Sequence, residues 1–460
     1  MLPVLTAGEM RAADAAALAT VSHDTLVDRA GTAVGQAALR LLGGAYGRRV
    51  IVVAGKGSNG ADGRVAAALL ARRGARVTVL DAADPPAKLP DCDLVIDAAY
   101  GTGFRGNYDA PSVPAAVPVL SVDIASGVDA DTGAAPGAPF RATETVTFAA
   151  YKPGLLQGAG ATCSGKVRVV DIGVALAPSG AALIEDADVA AHVPARLRQS
   201  HKWSTALGIA SGSVGMEGSA ILCTRGAMAA GAGMIRLGNP GNPSANWPTE
   251  AVRVHLEGSR WAEAFLAATE KCRAIVVGPG LGTDEVTQQE IRAVIAGAPV
   301  PLVIDADAIT ALGDAKATRQ LLAGRHAPTV LTPHDGEFAR VAGSPPGDDR
   351  LAAARDLAGR IGAVVLLKGP LTAVATAQDE RPDVLLAAAG VPALATAGTG
   401  DVLSGVIGAF LARGTPAHLA AALGAHVHGR AAAHGRPEGL VAGDLPDLIA
   451  AWLSEGGHHG

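Results

Sequence analysis

Two spacings of apolar residues divide the chain. Over residues 7–19 and 25–42 the apolar positions recur at helical spacing, and short unbroken apolar runs then take over. The runs predict strands over 50–54, 76–80, 94–97, 119–122, 145–148 and 167–171, with helices between them. Continuous apolar strands separated by helices predict a parallel sheet covered on both faces. Residues 173–200 lose the pattern, which places a boundary there, between domains spanning 1–190 and 195–460. A second series then predicts strands over 207–211, 252–255, 274–277, 301–305, 329–332, 364–368 and 372–375, followed by helices over 402–413 and 419–434. The pattern is α/β twice over, too long at 460 residues for one ordinary core.

Composition narrows the class. Hydrophobic residues make up 49% and aromatics 3%, and 59 glycines supply the turns of a strand-and-helix protein. A net charge of −5 gives no reason to expect nucleic acid or an anionic membrane as a partner. Cys92, Cys163, Cys223 and Cys272 are scattered without C-x-x-C spacing, so buried thiols in a reducing compartment are expected. The N-terminus lacks a basic segment followed by an apolar core, and no uncharged apolar run reaches spanning length. The expectation is a cytoplasmic homo-oligomer acting on small molecules. The terminal G-G-H-H-G is too short to read as a metal site.

Three loops of the first half follow strand ends, where open α/β sheets collect ligands. Residues 55–63 read G-K-G-S-N-G-A-D-G and contain a formal G-x-G-x-x-G at Gly55, Gly57 and Gly60. A strand ending near Asp81 follows at dinucleotide-fingerprint spacing, which makes a dehydrogenase an alternative. Asn59 and Asp62 argue against it, because an ordinary pyrophosphate turn is small and apolar. Asn59 offers a carbonyl oxygen to a cation; Asp62 suits a helix cap or a ligand hydroxyl. The other loops are D-A-A-Y-G-T-G-F-R-G at 97–106 and V-D-I-A-S-G-V-D at 122–129. Asn59, Asp97 and Ser126 are hard oxygen ligands, and Asp123 is an acid–base candidate.

These loops, with E-M-R-A-A-D at 9–14 and R-A-G at 29–31, resemble the NAD(P)HX epimerase domain of the bifunctional enzymes that repair hydrated NAD(P)H. The resemblance implies a Rossmann-like three-layer fold. It implies that Ser58, Asn59, Gly60, Ala61 and Asp62, with Gly101, Thr102, Gly103, Phe104, Arg105, Gly106 and Asn107, line the hydrated nucleotide. It further implies that Asn59, Asp97 and Ser126 bind K⁺ and that Asp123 is the acid–base residue. Ser58 and Ala61 stand where the family usually has Asn and Gly, and Ala125 where it usually has Pro.

In the second half, A-T-A-G-T-G-D-V-L-S-G at 395–405 reads as a glycine turn opening a helix, with Asp401 at its mouth. Such a turn favours a phosphate. A carboxylate there needs a role, such as taking a proton from a substrate hydroxyl. V-G-P-G-L-G at 277–282, D-A-D at 305–307, T-P-H-D-G-E at 332–337 and L-K-G at 367–369 all fall at strand ends in chain order, as one cleft requires. Taken singly, Asp307 is a helix cap, His334 a cap or a solvated turn residue, and Lys368 a surface charge.

Together with G-S-x-x-x-x-G-S-A at 212–220 they resemble the ADP/ATP-dependent NAD(P)HX dehydratase of the same family, over residues 201–444. The resemblance implies a ribokinase-like fold. Ala220, Gly280, Gly282, His334 and Asp401 are then expected on the hydrated nucleotide. Lys368, Gly369, Pro370, Leu371, Thr372 and Gly400 are expected on ADP or ATP, with Mg²⁺ bridging its phosphates. Phosphorylating the C6 hydroxyl turns a poor leaving group into a good one, with Asp401 as the base. The alternatives are a small-alcohol kinase, a dehydrogenase, and a first half that only binds ligand.

Overall fold

A computed structural model describes residues 1–240, 247–256, 258–377 and 382–456. His458 and His459 of the terminal run lie outside them. The chain forms two compact units, Leu2–Gly180 and, with Met1, Ala181–Gly460. The division falls within 173–200 but earlier than the expected domain end at 190. The reason is local: Ala181–Leu183 is a strand of the second unit, and the helix Asp186–His192 is tied there through Asp186, which takes bonds from His426 (2.7 Å) and Arg430 (2.8 Å).

The first unit contains β1 (Leu2–Val4), β2 (Arg49–Ala54), β3 (Arg76–Asp81), β4 (Leu94–Ala98), β5 (Val119–Val122), β6 (Glu144–Phe148) and β7 (Lys166–Val170). Strands β2 to β7 form a parallel sheet in the order β3-β2-β4-β5-β6-β7. The order reverses between β2 and β4, so the loops after these two strands open into one crevice. The helices Ala7–Leu18 and His23–Leu42 start on Thr6 and Ser22, whose hydroxyls accept from the third residue of each helix. Gly31 of the R-A-G motif lets His23–Leu42 press on Ser58–Arg72, since a Cβ there would lie 2.4 Å from the Val65 Cβ.

The second unit contains β8 (Ala181–Leu183), β9 (Ala206–Ala210), β10 (Met234–Gly238), β11 (Ala251–Val254), β12 (Ala274–Val277), β13 (Leu302–Ile304), β14 (Thr329–Leu331), β15 (Val364–Leu367), β16 (Thr372–Ala375) and β17 (Val384–Ala387). Their order is β8-β17-β16-β15-β14-β13-β12-β9-β10-β11. Pairing is parallel except where β16 meets β15 and β17. The predicted strand pair over 364–368 and 372–375 is therefore a hairpin, not two steps of a βαβ series. The helices Glu217–Ala229, Thr399–Ala412 and Ala417–Ala433 carry the main core, with Phe410, Val402 and Ile407 fully buried. This is the second α/β unit that the alternating apolar runs predicted. All four cysteines are free and buried. Among the described residues no helix is long and apolar enough to cross a membrane.

Candidate active sites

The first site is a cavity of about 690 Å³ at the β2/β4 crevice. Helix Ser58–Arg72 begins directly after β2, and the loop holds together because its glycines have no side chains. A Cβ on Gly60 would lie 1.9 Å from the Gly55 carbonyl oxygen, and one on Gly55 2.0 Å from that of Ala99. The walls include Ser58, Asn59, Asp62, Gly101, Thr102, Gly103, Phe104, Arg105 and Asp123. Gly60, Ala61, Gly106 and Asn107, expected on the same ligand, are not wall residues of this cavity; Asn107 is exposed.

Asn59 and Ser126 meet the backbone of Tyr100, and Asp97 joins them through Ser126. The Asn59 amide donates to the Tyr100 carbonyl (3.0 Å), and the Ser126 hydroxyl accepts from the Tyr100 N–H (2.8 Å). Asp97 is fully buried, and its carboxyl accepts from the Ser126 hydroxyl (2.5 Å), the Ser126 N–H (2.9 Å) and the Ser121 hydroxyl (3.1 Å). Burial pushes the Asp97 pKa up against those hydrogen bonds. A buried carboxyl met by neutral donors, with an amide and a hydroxyl beside it, offers hard oxygen ligands that could hold a monovalent or hard divalent cation.

Asp123 follows β5 with φ of 67°, a conformation that non-glycine residues adopt only under constraint. The constraint is visible: its Oδ1 accepts from Lys152 Nζ (2.6 Å) and from the Thr147 hydroxyl (3.0 Å). Lys152 also donates to Thr147 (2.8 Å) and to the Phe148 carbonyl (3.0 Å), and is 1% exposed. Sequence reasoning missed Lys152, which lies outside every motif; its only signal was a lone lysine just after a strand of the sheet. Asp81, the ribose-binding residue of the dehydrogenase alternative, accepts instead from its own turn at Ala83 (3.0 Å) and is absent from the cavity wall.

The second site sits where β9, β12, β13, β14 and β15 end side by side. Asp305 follows β13, is 1% exposed, and accepts from Lys368 Nζ (2.7 Å) and the Ser404 hydroxyl (2.6 Å). Burial alone would lower the Lys368 pKa, but the charges of Asp305 and Glu337 overcome it and hold the ammonium above its ordinary range. Lys368 opens the β15–β16 hairpin, whose turn, 368–372, is the expected nucleotide loop; Leu371 within it is buried. A Cβ on Gly400 would lie 3.4 Å from Lys368 Nζ, which sets the helix start against that loop.

Helix Thr399–Ala412 begins on Gly398 at φ 87° with no side-chain cap, so its first N–H groups keep no side-chain partner there. Asp401 lies in this turn, half-buried, and burial raises its pKa to about 6, against a hydrogen bond from Ser219. Ser219 was missed, although it stands in the quoted G-S-A beside Ala220, which is itself buried. The glycine turn 278–282 backs the same spot: a Cβ on Gly280 would lie 2.8 Å from the Ser219 Cβ, and Gly282 N donates to Asp307 Oδ2 (2.8 Å). Asp307 thus ties down the turn and starts a helix. Ala306, between the two aspartates, has φ of 51°.

His334 caps the helix Asp335–Ala342, its Nδ1 accepting from Gly336 N (3.0 Å) and Glu337 N (3.4 Å). The capping reading holds; the side chain is 63% exposed, with Nε2 3.6 Å from Glu337 Oε1. Arg350, also missed, donates to the Lys368 carbonyl (2.6 Å) and grips Asp335 (2.9 and 3.1 Å), fixing the hairpin turn from outside. Among the described residues no group of three His, Cys, Asp or Glu is placed to hold a metal ion.

Residues 207–454 match the family described as NAD(P)H-hydrate dehydratase, and residues 23–92 and 80–154 match the YjeF-related protein N-terminus. The chain is 41% identical to the bifunctional NAD(P)H-hydrate repair enzyme Nnr of Mycobacterium tuberculosis over 446 residues, 89% of each chain. It is 40% identical to that of Mycobacterium leprae over 97% of this chain and 96% of the relative. A crystal structure of the Bacillus subtilis ADP/ATP-dependent NAD(P)H-hydrate dehydratase, co-crystallised with ATP and Mg²⁺, covers 59% of this chain and 96% of its own at 29% identity, with a TM-score of 0.49. Two family matches in the order of the two units, and relatives spanning nearly the whole length, place this chain in the family of bifunctional NAD(P)H-hydrate repair enzymes.

Proposed function

We propose that the chain restores hydrated NADH and NADPH. The first unit interconverts the R and S epimers, and the second dehydrates the S epimer at the expense of ADP or ATP. The observation that carries this reading is the placement of Asp401. It lies in the first turn of an uncapped helix, held by Ser219, with Lys368 and Asp305 close enough to bear on its charge.

In the second unit Asp401 takes the proton of the C6 hydroxyl as phosphate is transferred to it. The N–H groups of the helix start and the Lys368 ammonium neutralise the moving phosphoryl charge. Phosphate then leaves as the ring double bond returns. Mg²⁺ would enter with the nucleotide's phosphates. Base and donor are fixed, so one epimer is consumed and the other must be converted first. That requirement gives the first unit its task, with Asp123 as a proton-transfer group held by Lys152.

Asn59, Asp97 and Ser126 would hold K⁺, which would supply a positive charge beside the substrate loop. We further propose a cytoplasmic homo-oligomer, testable by light scattering. The activity test follows absorbance of mixed hydrated-NADH epimers with the full chain and each nucleotide. Complete recovery of NADH supports both activities; recovery stopping at the S fraction removes the epimerase. A stable phosphorylated product in place of NADH would favour the small-alcohol kinase.

A further inference from the structure

The epimerase cavity contains a second carboxyl that the reaction outlined above leaves unused. Asp62 lies on helix Ser58–Arg72, one turn beyond Asn59, and is 6% exposed while its side chain lines the cavity. Among the described residues it has no hydrogen bond or ion pair, in contrast to Asp123, which is held by Lys152 and Thr147. The same cavity therefore presents one carboxyl committed to a buried ammonium, Asp123, and one that is buried and free, Asp62. We propose, on the reading that this unit is an epimerase, that Asp62 is the proton donor of the epimerisation, working with Asp123 as the proton acceptor.

The chemistry at C6 calls for this pair. That carbon bears both the hydroxyl and the ring nitrogen N1, so the ring can open without oxidant or reductant. Asp123 takes the hydroxyl proton, and the O–H electron pair becomes the second bond of an aldehyde. The C6–N1 bond breaks, its electron pair passes to N1, and N1 takes the proton of Asp62. Rotation about the C5–C6 bond presents the opposite face of the aldehyde. Closure then returns the N1 proton to Asp62 and the Asp123 proton to the oxygen, leaving C6 inverted.

The donor must be protonated at neutral pH, and burial, assisted by the charge of Asp123, raises the Asp62 pKa to about 8. The other charged groups on the cavity wall are Asp14, His23, Lys56, Arg105 and Lys152. Asp14 is the competing acid: burial raises it too, but Lys152 pulls it back, and it is more open to solvent.

The test measures epimerisation against pH for the wild-type chain, D62N, D62E and D14N, starting from the pure R epimer with ADP present. Dehydration of pure S epimer serves as the folding control. Wild type should lose rate above about pH 8; D62N should be slower on the order of 10²-fold and lack that limb. D62E should recover part of the rate with a displaced limb. A D62N chain at wild-type rate, or one that keeps the alkaline limb, overturns the proposal, as does loss of the limb in D14N instead. Wild-type R-epimer conversion no faster than the spontaneous rate would defeat the epimerase reading itself, a distinguishable result.

Discussion

Lys152 and Asp123 meet at 2.6 Å, the lysine almost wholly out of water. Two more acceptors, Thr147 and the Phe148 carbonyl, hold the same ammonium, which fixes Asp123 in its left-handed backbone conformation. Removing one partner of such a pair leaves an uncompensated buried charge. Lys152→Met should destabilise the first unit by about 3 kcal/mol. Thermal unfolding reads that loss, and R-epimer conversion should fall while S-epimer dehydration persists.

Asp401 must be ionised to act as a base. Its pKa is raised from 3.8 to about 6, so the ionised fraction falls as pH drops through that value. Dehydration should therefore decline below about pH 6, and Asp401→Asn should be slower by roughly 10²-fold or more at every pH. Ser219 favours the ionised carboxylate, so Ser219→Ala should move the acid limb to higher pH. A pH–rate profile in which the limb stays put would show that Ser219 does not tune the base.

Asp305 holds Lys368 on one oxygen and Ser404 on the other. Asp305→Ala frees the lysine beside the hairpin turn and removes the acceptor of a buried hydroxyl. The KM for ADP should rise more than kcat falls, because the loss is in positioning the nucleotide charge. Steady-state kinetics at saturating substrate separates the two.

Ala61 departs from the family's glycine, but its methyl is not on the cavity wall. Ala61→Gly should leave epimerisation unchanged and, in a helix, cost about 1 kcal/mol. Gly60→Ala should be severe by contrast, because the added carbon has only the Gly55 carbonyl to meet. Unfolding temperature and epimerisation rate of the two variants decide between them.

The parallel sheets were legible because long apolar runs such as 50–54 and 274–277 are fully buried strands with little alternative use. The strands left unread were short or interrupted. Met234–Gly238 carries Arg236 mid-strand, and Ala181–Leu183 is too brief to form a pattern. The site was legible where a glycine turn marked it, at Asp401 and around Asn59. Lys152, Ser219 and Arg350 act through contacts distant in sequence or hidden in common residue types. No local signal distinguishes a lysine that pairs with Asp123 from one in water. Asp81 misled for a related reason: the fingerprint spacing was present, but its side chain closes its own turn.

The cap at His334 also sets which proton that side chain carries. Because Nδ1 accepts from Gly336 and Glu337, a neutral ring bears its hydrogen on Nε2, which lies 3.6 Å from Glu337 Oε1 and is a donor. A ligand reaching His334 must therefore offer an oxygen or an unprotonated nitrogen; an N–H would meet an N–H. The tautomer is thus fixed by the backbone before any ligand arrives, and the sign of the contact is fixed with it.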